Sequence, residues 1–237
     1  MKNEEKIIAT LSENKIKAVI FDMDGTIIDT EYIWQKVMAD FLFNKGIAQI
    51  SPKLKDALKN SSGGGSFQAV TLFKQEFNFP EPVEVLLKQK IDMSMEYMQK
   101  YEINFIKGFQ DFHARLKAQN IPTSIGTNAN IPVLTLLNEK LNFTQFFGPN
   151  LYCMEHVGNK AKPDPAVFLH AAEKLNVKPE ECLVFEDSIS GFGAAKKAGM
   201  TLVAIKNEHN QEILHQADFA IDDYTQAHEI IDKLSKK

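Results

Sequence analysis

Short strand-like segments alternate with helical patterns along most of this chain, and this alternation limits the possible folds more than any other feature. The first segment, residues 16–21, is apolar except for Lys17, which is typical of a strand covered on both faces. Strands that alternate with helices form a parallel sheet with helices on both sides. The sequence therefore predicts an α/β fold, a doubly wound parallel sheet, with strands at 16–21, 121–127, 150–154, 182–185, 201–205 and 218–221.

The long stretch after the first predicted strand carries helical patterns and no convincing strand. Ser51 and Pro52 predict a helix start, because serine is a good N-cap and proline suits the first turn. Residues 36–103 are therefore expected to form an all-helical domain, inserted into a core of residues 16–35 and 104–237. Helices are predicted at 31–42, from 52, and at 66–77, 83–101, 109–119, 131–141, 165–175 and 189–198.

The composition excludes several classes of protein. Hydrophobic residues are 44% of the 237, too many for a disordered chain, and the net charge of −4 predicts no basic surface for nucleic acid. No apolar stretch approaches the roughly 20 residues that a membrane span needs. The apolar run at 7–11 is too short for a signal peptide. Cys153 and Cys182 lack zinc-ligand spacing, so we expect reduced thiols and a cytoplasmic location.

Polar side chains stand at the carboxyl ends of the predicted strands, where sheets of this kind bind ligands. Each has a plain structural explanation: an Asp-x-Asp-Gly sequence is more often an Asx turn, and Ser188 is suited to cap the next helix. Together, however, they bring several carboxylates to buried strand ends, where the charges repel one another unless a cation binds. Such oxygen ligands favour Mg²⁺. The converging residues are Asp22, Asp24, Thr127, Asn128, Lys162, Glu186 and Asp187.

Four segments, in order along the chain, resemble the motifs of the haloacid dehalogenase superfamily. They are FDMDGTIIDTE, the strand end at Thr127, AKPDPAVF and VFEDSISGFGAAKKAGM. The resemblance extends from Ile16 to about Asp222, and the helical insertion is similar to the cap of the β-phosphoglucomutase-like branch. It implies a Rossmann-like core with a helical cap. It also implies a Mg²⁺-dependent phosphatase that hydrolyses a small phosphorylated metabolite, a sugar phosphate, through an aspartyl-phosphate.

The resemblance further implies a role for each residue of the site. Asp22 is the nucleophile, and Asp24 is the general acid and then the general base. Thr127 and Asn128 hold phosphoryl oxygens, and Lys162 offsets the negative charge. The implied metal ligands are Asp22, the backbone carbonyl of Asp24, Asp187 and, directly or through water, Glu186.

The cap is expected to decide the substrate, and its sequence departs from that of the mutase branch. Gly63 stands where the mutase has an arginine for a second phosphate, and Ile33 stands where it has a histidine. Thr26 is typical of the phosphatases. These departures favour a phosphatase. Lys90 matches a retained cap lysine and is interpreted either as a substrate ligand or as a solvated helix lysine. Three aromatic residues are interpreted as cap core: Tyr32, Trp34 and Phe41.

Four other functions stay open. Gly63 is evidence against β-phosphoglucomutase-type phosphoryl transfer. The presence of Asp24, Thr127 and Asp187, residues suited to phosphate and metal, is evidence against carbon–halogen hydrolysis. Carbon–phosphorus cleavage needs a lysine over the site, for which Lys53 and Lys55 are candidates. A non-enzymatic signalling phosphoacceptor would leave Asp24 and the cap without a purpose. The expected partner is a small phosphorylated metabolite, with no nucleic acid and no membrane, and the expected state is a monomer or weak homodimer.

Overall fold

The computed structural model describes residues 16–60, 65–227 and 229–230 of the chain. Its strands are β1 (Ala18–Phe21), β2 (Thr123–Thr127), β3 (Leu151–Cys153), β4 (Cys182–Glu186), β5 (Thr201–Ile205) and β6 (Phe219–Ile221). They form one sheet in the order β3-β2-β1-β4-β5-β6, and every neighbouring pair is parallel. The prediction of a parallel sheet is confirmed.

Helices accompany these strands through the described part of the chain. They are α1 (Glu31–Asn44), α2 (Pro52–Asn60), α3 (Gly65–Phe77), α4 (Val83–Lys100), α5 (Phe109–Ala118), α6 (Ile131–Leu141), α7 (Phe143–Phe147), α8 (Ala166–Lys174) and α9 (Ile189–Lys197). Helix α7 was not predicted, because five residues are too few to show a helical period. The strand predicted from residue 121 begins at Thr123, since Pro122 has no N–H to donate; its carbonyl still accepts from the Val19 N–H at 3.0 Å.

The side chains of each strand alternate between two apolar layers, as extended backbone requires. Val19 and Phe21 of β1 contribute to one layer, which includes Phe109 and Phe112 of α5. Ala18 and Ile20 contribute to the other layer, with residues of α8 and α9. The sheet is thus covered by helices on both faces, which confirms the doubly wound fold and leaves its carboxyl edge available for a site.

Helices α1 to α4 lie between β1 and α5 in the chain and have an apolar cluster of their own. That cluster includes Phe41, Leu54, Val70, Phe73 and Leu86. The described residues between 36 and 103 contain no strand. Helix α1 runs unbroken through residues 35 and 36, where the sequence predicted a domain boundary. The division into core and cap stays a prediction.

The two chain segments that join these helices to the sheet lie side by side. Ile28 bridges Phe105 in antiparallel fashion, and the Asp29 N–H donates to the Asn104 carbonyl at 2.9 Å. From α6, the Lys140 ammonium donates to the carbonyls of Met98 and Tyr101, at 2.7 and 2.6 Å, and so caps the end of α4. The connection between the helices and the sheet is therefore short and hydrogen-bonded.

Some predictions fall outside the described residues, namely those on residues 1–15 and on Gly63. Both cysteines are free and buried. In the described residues, no helix has the length and apolar character needed to cross a membrane.

Candidate active site

A buried lysine joins two carboxylates at the carboxyl edge of the sheet. Asp22 follows β1, and Glu186 ends β4, the strand next to it. The Lys162 ammonium donates to Asp22 Oδ1 at 2.6 Å and to Glu186 Oε1 at 2.8 Å. Burial lowers the pKa of Lys162, but the two carboxylates more than offset this and raise it, so the lysine is charged. Its ammonium also lies over the ring of Phe168, 4.4 Å from the ring centre.

The second oxygen of Glu186 is held at the start of α9. Glu186 Oε2 accepts from the N–H groups of Asp187 and Ser188, both at 2.7 Å, and from the Ser188 hydroxyl at 3.0 Å. This position depends on Gly191, where an added Cβ would lie 1.7 Å from the Glu186 carboxyl carbon. Both oxygens of Glu186 thus accept hydrogen bonds, and its predicted role as a metal ligand stays a prediction.

Asp187 lies against the loop that follows β1. Gly25 has φ of +74°, and a Cβ there would lie 2.2 Å from Asp187 Oδ2, so the loop can approach this closely only with glycine. The Asn207 side-chain amide donates to Asp187 Oδ2 at 3.0 Å. Asn207 was not predicted as a site residue, although it lies two residues after the end of β5, where the rule of strand ends would have found it.

Three carboxylates are close enough to share one cation. Asp22, Glu186 and Asp187 each offer an oxygen, and these oxygens lie within 4.8 Å of one another. Burial raises the pKa of Asp22 to about 7, although Lys162 lowers it. Burial, followed by the charges of Glu186 and Asp22, raises the pKa of Asp187 well above its ordinary value. Buried carboxylates this close repel one another when charged, so the group fits a Mg²⁺ ion, which would compensate that charge.

Asp24 turns toward helix α1. Its Oδ1 accepts from the Thr30 hydroxyl at 2.6 Å and from the Trp34 indole N–H at 2.8 Å. Burial raises the pKa of Asp24, while these two hydrogen bonds lower it. Trp34 packs against the apolar core as predicted, and its hydrogen bond to Asp24 was not predicted. Tyr32 is half-exposed rather than core, whereas Phe41 is buried as predicted.

Thr127 and Asn128 lie at the end of β2, beside the loop that carries Lys162. Asn128 Oδ1 accepts from the Lys162 backbone N–H at 2.9 Å, and the Thr127 hydroxyl accepts from the Ala129 N–H at 3.1 Å. A Cβ on Gly65 would lie 3.4 Å from the Asn128 carbonyl oxygen, so the start of α3 touches this strand end. The helices after β1 therefore reach the site.

Lys90 of α4 is buried, with 5% of its surface exposed, which excludes its interpretation as a solvated lysine. Its ammonium donates to the Ser66 hydroxyl at 3.0 Å and lies 5.0 Å from the Trp34 ring centre. Burial lowers its pKa to about 8. By contrast, Lys53 and Lys55 are exposed on α2. Lys90 of α4 thus lies next to Trp34, which donates to Asp24.

Comparison with known proteins identifies relatives along most of the chain. The sequence model of the family described as "Haloacid dehalogenase-like hydrolase" matches residues 19–205. A β-phosphoglucomutase of Bacillus subtilis (strain 168) is 30% identical over 201 residues, which cover 80% of this chain and 83% of that protein. A fructose-1-phosphate phosphatase of Escherichia coli (strain K12) is 30% identical over 190 residues, 79% and 95% of the two chains. The crystal structure of CbbY from Rhodobacter sphaeroides with phosphate is similar in fold, with a TM-score of 0.76, 22% identity and coverage of 90% and 96%.

Proposed function

The chain belongs to the haloacid dehalogenase-like hydrolase family, and on that premise we propose that it is a Mg²⁺-dependent phosphatase of small sugar phosphates. The observation that carries this proposal is the contact of Asp22 with the buried Lys162, at 2.6 Å, beside two further carboxylates. A carboxylate whose charge is balanced by an ammonium is a suitable nucleophile for phosphorus. The helices of residues 36–103 act in this proposal as a cap over the site.

Asp22 attacks the phosphorus atom with a carboxylate oxygen, and the bond from phosphorus to the sugar oxygen breaks. Lys162 holds Asp22 Oδ1 and offsets the charge that accumulates as the phosphate approaches the carboxylate. Because Glu186 Oε1 holds the same ammonium, the lysine is oriented from two sides. The Thr127 hydroxyl and the Asn128 amide bind the phosphoryl oxygens.

Asp24 gives a proton to the leaving sugar oxygen and later takes one from the water that hydrolyses the aspartyl-phosphate. A general acid needs a pKa above that of an ordinary carboxyl group, and burial raises the pKa of Asp24. The cap would limit access of bulk water during the first step.

The metal would be held by Asp22, Asp187 and the Asp24 backbone carbonyl, with Glu186 beside them. When bound, it shields the phosphate from the attacking carboxylate. The ligand oxygens of Asp22 and Asp187 carry raised pKa values, so protons compete with the metal at acid pH.

We predict that Mg²⁺ stabilises the protein more at pH 8 than at pH 5.5. The folded-state pKa of Asp22 is raised from 3.8 to about 7, so its contribution to stability is complete below about pH 4 and is lost as pH rises through 7. Metal binding should offset that loss only where the carboxyl is ionised. Thermal unfolding with and without Mg²⁺ at both pH values measures the difference. An equal shift in Tm at the two pH values would contradict a metal site at Asp22.

Two relatives support the sugar phosphate as the class of substrate. The Escherichia coli relative is named for fructose 1-phosphate, and a further relative from that organism is named 6-phosphogluconate phosphatase, 26% identical over 208 residues. The Bacillus subtilis relative favours a second candidate, phosphoryl transfer between two positions of a glucose phosphate. In such a transfer the phosphoryl group returns from Asp22 to a second hydroxyl before water reaches it.

A phosphate-release screen tests the proposed function. Sugar phosphates, nucleotides and other phosphomonoesters are incubated with the protein, with and without Mg²⁺, and metal-dependent release from a sugar monophosphate is expected. For β-glucose 1-phosphate, phosphorus NMR follows inorganic phosphate and glucose 6-phosphate in one reaction. Isomerisation that outruns hydrolysis would replace the phosphatase with the mutase, and no release from any ester would remove the enzymatic proposal.

Replacing Lys90 with methionine is predicted to weaken substrate binding and to stabilise the fold. The buried ammonium meets one hydroxyl and one ring face, and methionine fills a similar volume without a charge to desolvate. We expect KM for the best sugar phosphate to rise about tenfold, the cost of one charged contact, and Tm to rise by about 2–4 °C. Lys88→Met, which removes an exposed lysine paired with Asp92 on the same helix, should change neither. An unchanged KM in Lys90→Met would leave the lysine without a substrate role.

A further inference from the structure

The side-chain hydrogen bonds to Asp24 reach only one of its two oxygens in the described structure. The Thr30 hydroxyl and the Trp34 indole N–H both donate to Oδ1, at 2.6 and 2.8 Å. A carboxyl oxygen that accepts two hydrogen bonds is a poor location for the acidic proton, because the donors already point hydrogen atoms at it. The proton of the neutral acid therefore belongs on Oδ2.

The chemistry of the indole makes this arrangement one-directional. An indole N–H donates and never accepts, and it does not titrate. The Thr30 hydroxyl, by contrast, can rotate and accept a hydrogen bond from the same oxygen if that oxygen is protonated. Trp34 is thus the donor that determines which oxygen of Asp24 stays the acceptor. Its hydrogen bond is the same in both steps of the reaction.

The indole is itself held from two sides. Trp34 belongs to α1 and packs against the apolar layer that contains Ile33 and Val37. The Lys90 ammonium of α4 lies over the ring, 5.0 Å from its centre. A cation on the face of an indole fixes the ring and polarises its N–H. Lys90 therefore contacts the Trp34 ring, and Trp34 in turn contacts Asp24.

We propose that Trp34 is a positioning residue for Asp24. The indole N–H of Trp34 keeps Oδ1 of Asp24 as a hydrogen-bond acceptor and leaves Oδ2 of Asp24 to carry the transferred proton. The proposal rests on the proposed function. As the bond from phosphorus to the sugar oxygen breaks, the proton on Oδ2 moves to that oxygen and its electron pair stays on Asp24. In the second step Oδ2 takes a proton from water while the water oxygen bonds to phosphorus and the bond to Asp22 breaks.

The test compares two leaving groups in single turnovers with enzyme in excess. An alkyl ester, fructose 1-phosphate, needs its leaving oxygen protonated, whereas p-nitrophenyl phosphate releases a stable anion and needs little help. Trp34→Phe keeps a ring and removes the N–H. We expect it to slow release of the sugar about 30-fold and release of nitrophenol less than about threefold, a fraction of what a general acid contributes. Trp34→His, which restores an N–H on a smaller ring, should recover part of the first rate.

The control is Tyr32→Phe, which removes a donor to the Glu102 carbonyl from the same helix without touching Asp24. Both its rates should match those of the native protein. Equal losses on the two esters in Trp34→Phe would show a packing role and overturn the proposal. If the native protein released neither product, the proposed function would fail instead, so the two failures are distinguishable.

A second measurement does not depend on the folding of a Trp34 variant. Trp34 is the only tryptophan of the chain, so the fluorescence of the native protein reports this ring alone. Asp24→Ala removes the acceptor and should shift the emission maximum, whereas Asp29→Ala, at an exposed carboxylate five residues on, should not. Identical emission spectra for Asp24→Ala and the native protein would contradict the hydrogen bond.

Discussion

Asp22→Asn is expected to abolish turnover, with a loss of about 10⁴-fold or more in kcat, as removal of a nucleophile costs in other enzymes. The amide has nearly the same shape as the carboxylate but cannot attack phosphorus. Lys162 keeps its bond to Glu186 in this variant, so the fold should persist. Mass spectrometry of acid-quenched protein should detect phosphate on Asp22 in the native chain and none in the variant.

The matched control for this prediction is Asp29→Asn. Asp29 belongs to the same segment, FDMDGTIIDTE, but it is exposed and lies outside the group of three carboxylates. Its replacement should leave kcat within about twofold, as exposed substitutions usually do. Covalent phosphate on the Asp22→Asn protein at the native rate would show that another residue is the nucleophile.

Gly191→Ala should be strongly destabilising, although Gly191 is not one of the reacting groups. Its Cβ would lie 1.7 Å from the Glu186 carboxyl carbon and 2.2 Å from Oε2, so the buried carboxylate must move. That movement breaks the contacts of Glu186 with Lys162 and with the N–H groups of Asp187 and Ser188. We expect the free energy of unfolding to fall by about 3–5 kcal/mol, the cost of disrupting a buried ion pair.

The sign of the change in unfolding free energy shows whether the contact with Glu186 or helix propensity dominates at Gly191. Within a helix, alanine is about 1 kcal/mol more favourable than glycine, so propensity alone predicts stabilisation. Gly193→Ala, two residues along the same helix, meets only the Pro163 Cβ at 3.1 Å and should change stability little. Urea unfolding of both variants measures the two changes in unfolding free energy and so decides between the two explanations. A Gly191→Ala protein at least as stable as the native one would mean that Glu186 is not held where the structure has it.

The parallel sheet could be predicted because its signal is local. A strand buried on both faces is a short apolar run, and β5 was predicted at the residues where it occurs. The ends of strands were predicted less accurately. At Pro122, for example, the missing N–H changes which residues pair. The five-residue helix α7 lies in a stretch too short to show any period.

The convergence of the site residues could also be predicted from the sequence. The carboxyl ends of neighbouring parallel strands meet at one edge, so polar residues at or just after the ends of β1, β2 and β4 must approach one another. Asp22, Asn128 and Glu186 do so, with Lys162 between them. The sheet geometry alone predicts this convergence, and the motifs that resemble the haloacid dehalogenase superfamily agree with it.

Only the tertiary structure decided which partners each side chain has. Nothing in the pattern of α1 distinguishes Trp34 from a core residue, because its hydrogen bond to Asp24 depends on how the helix leaves the loop after β1. The burial of Lys90 depends on α3 and α1 closing over it, and the position of Glu186 depends on the absence of a Cβ at Gly191. The periodicity of apolar residues depends only on neighbours in the chain, so it can be recognised in the sequence. Contacts between side chains far apart in the chain depend on how whole elements pack, and that is determined by the summed burial of many residues at once.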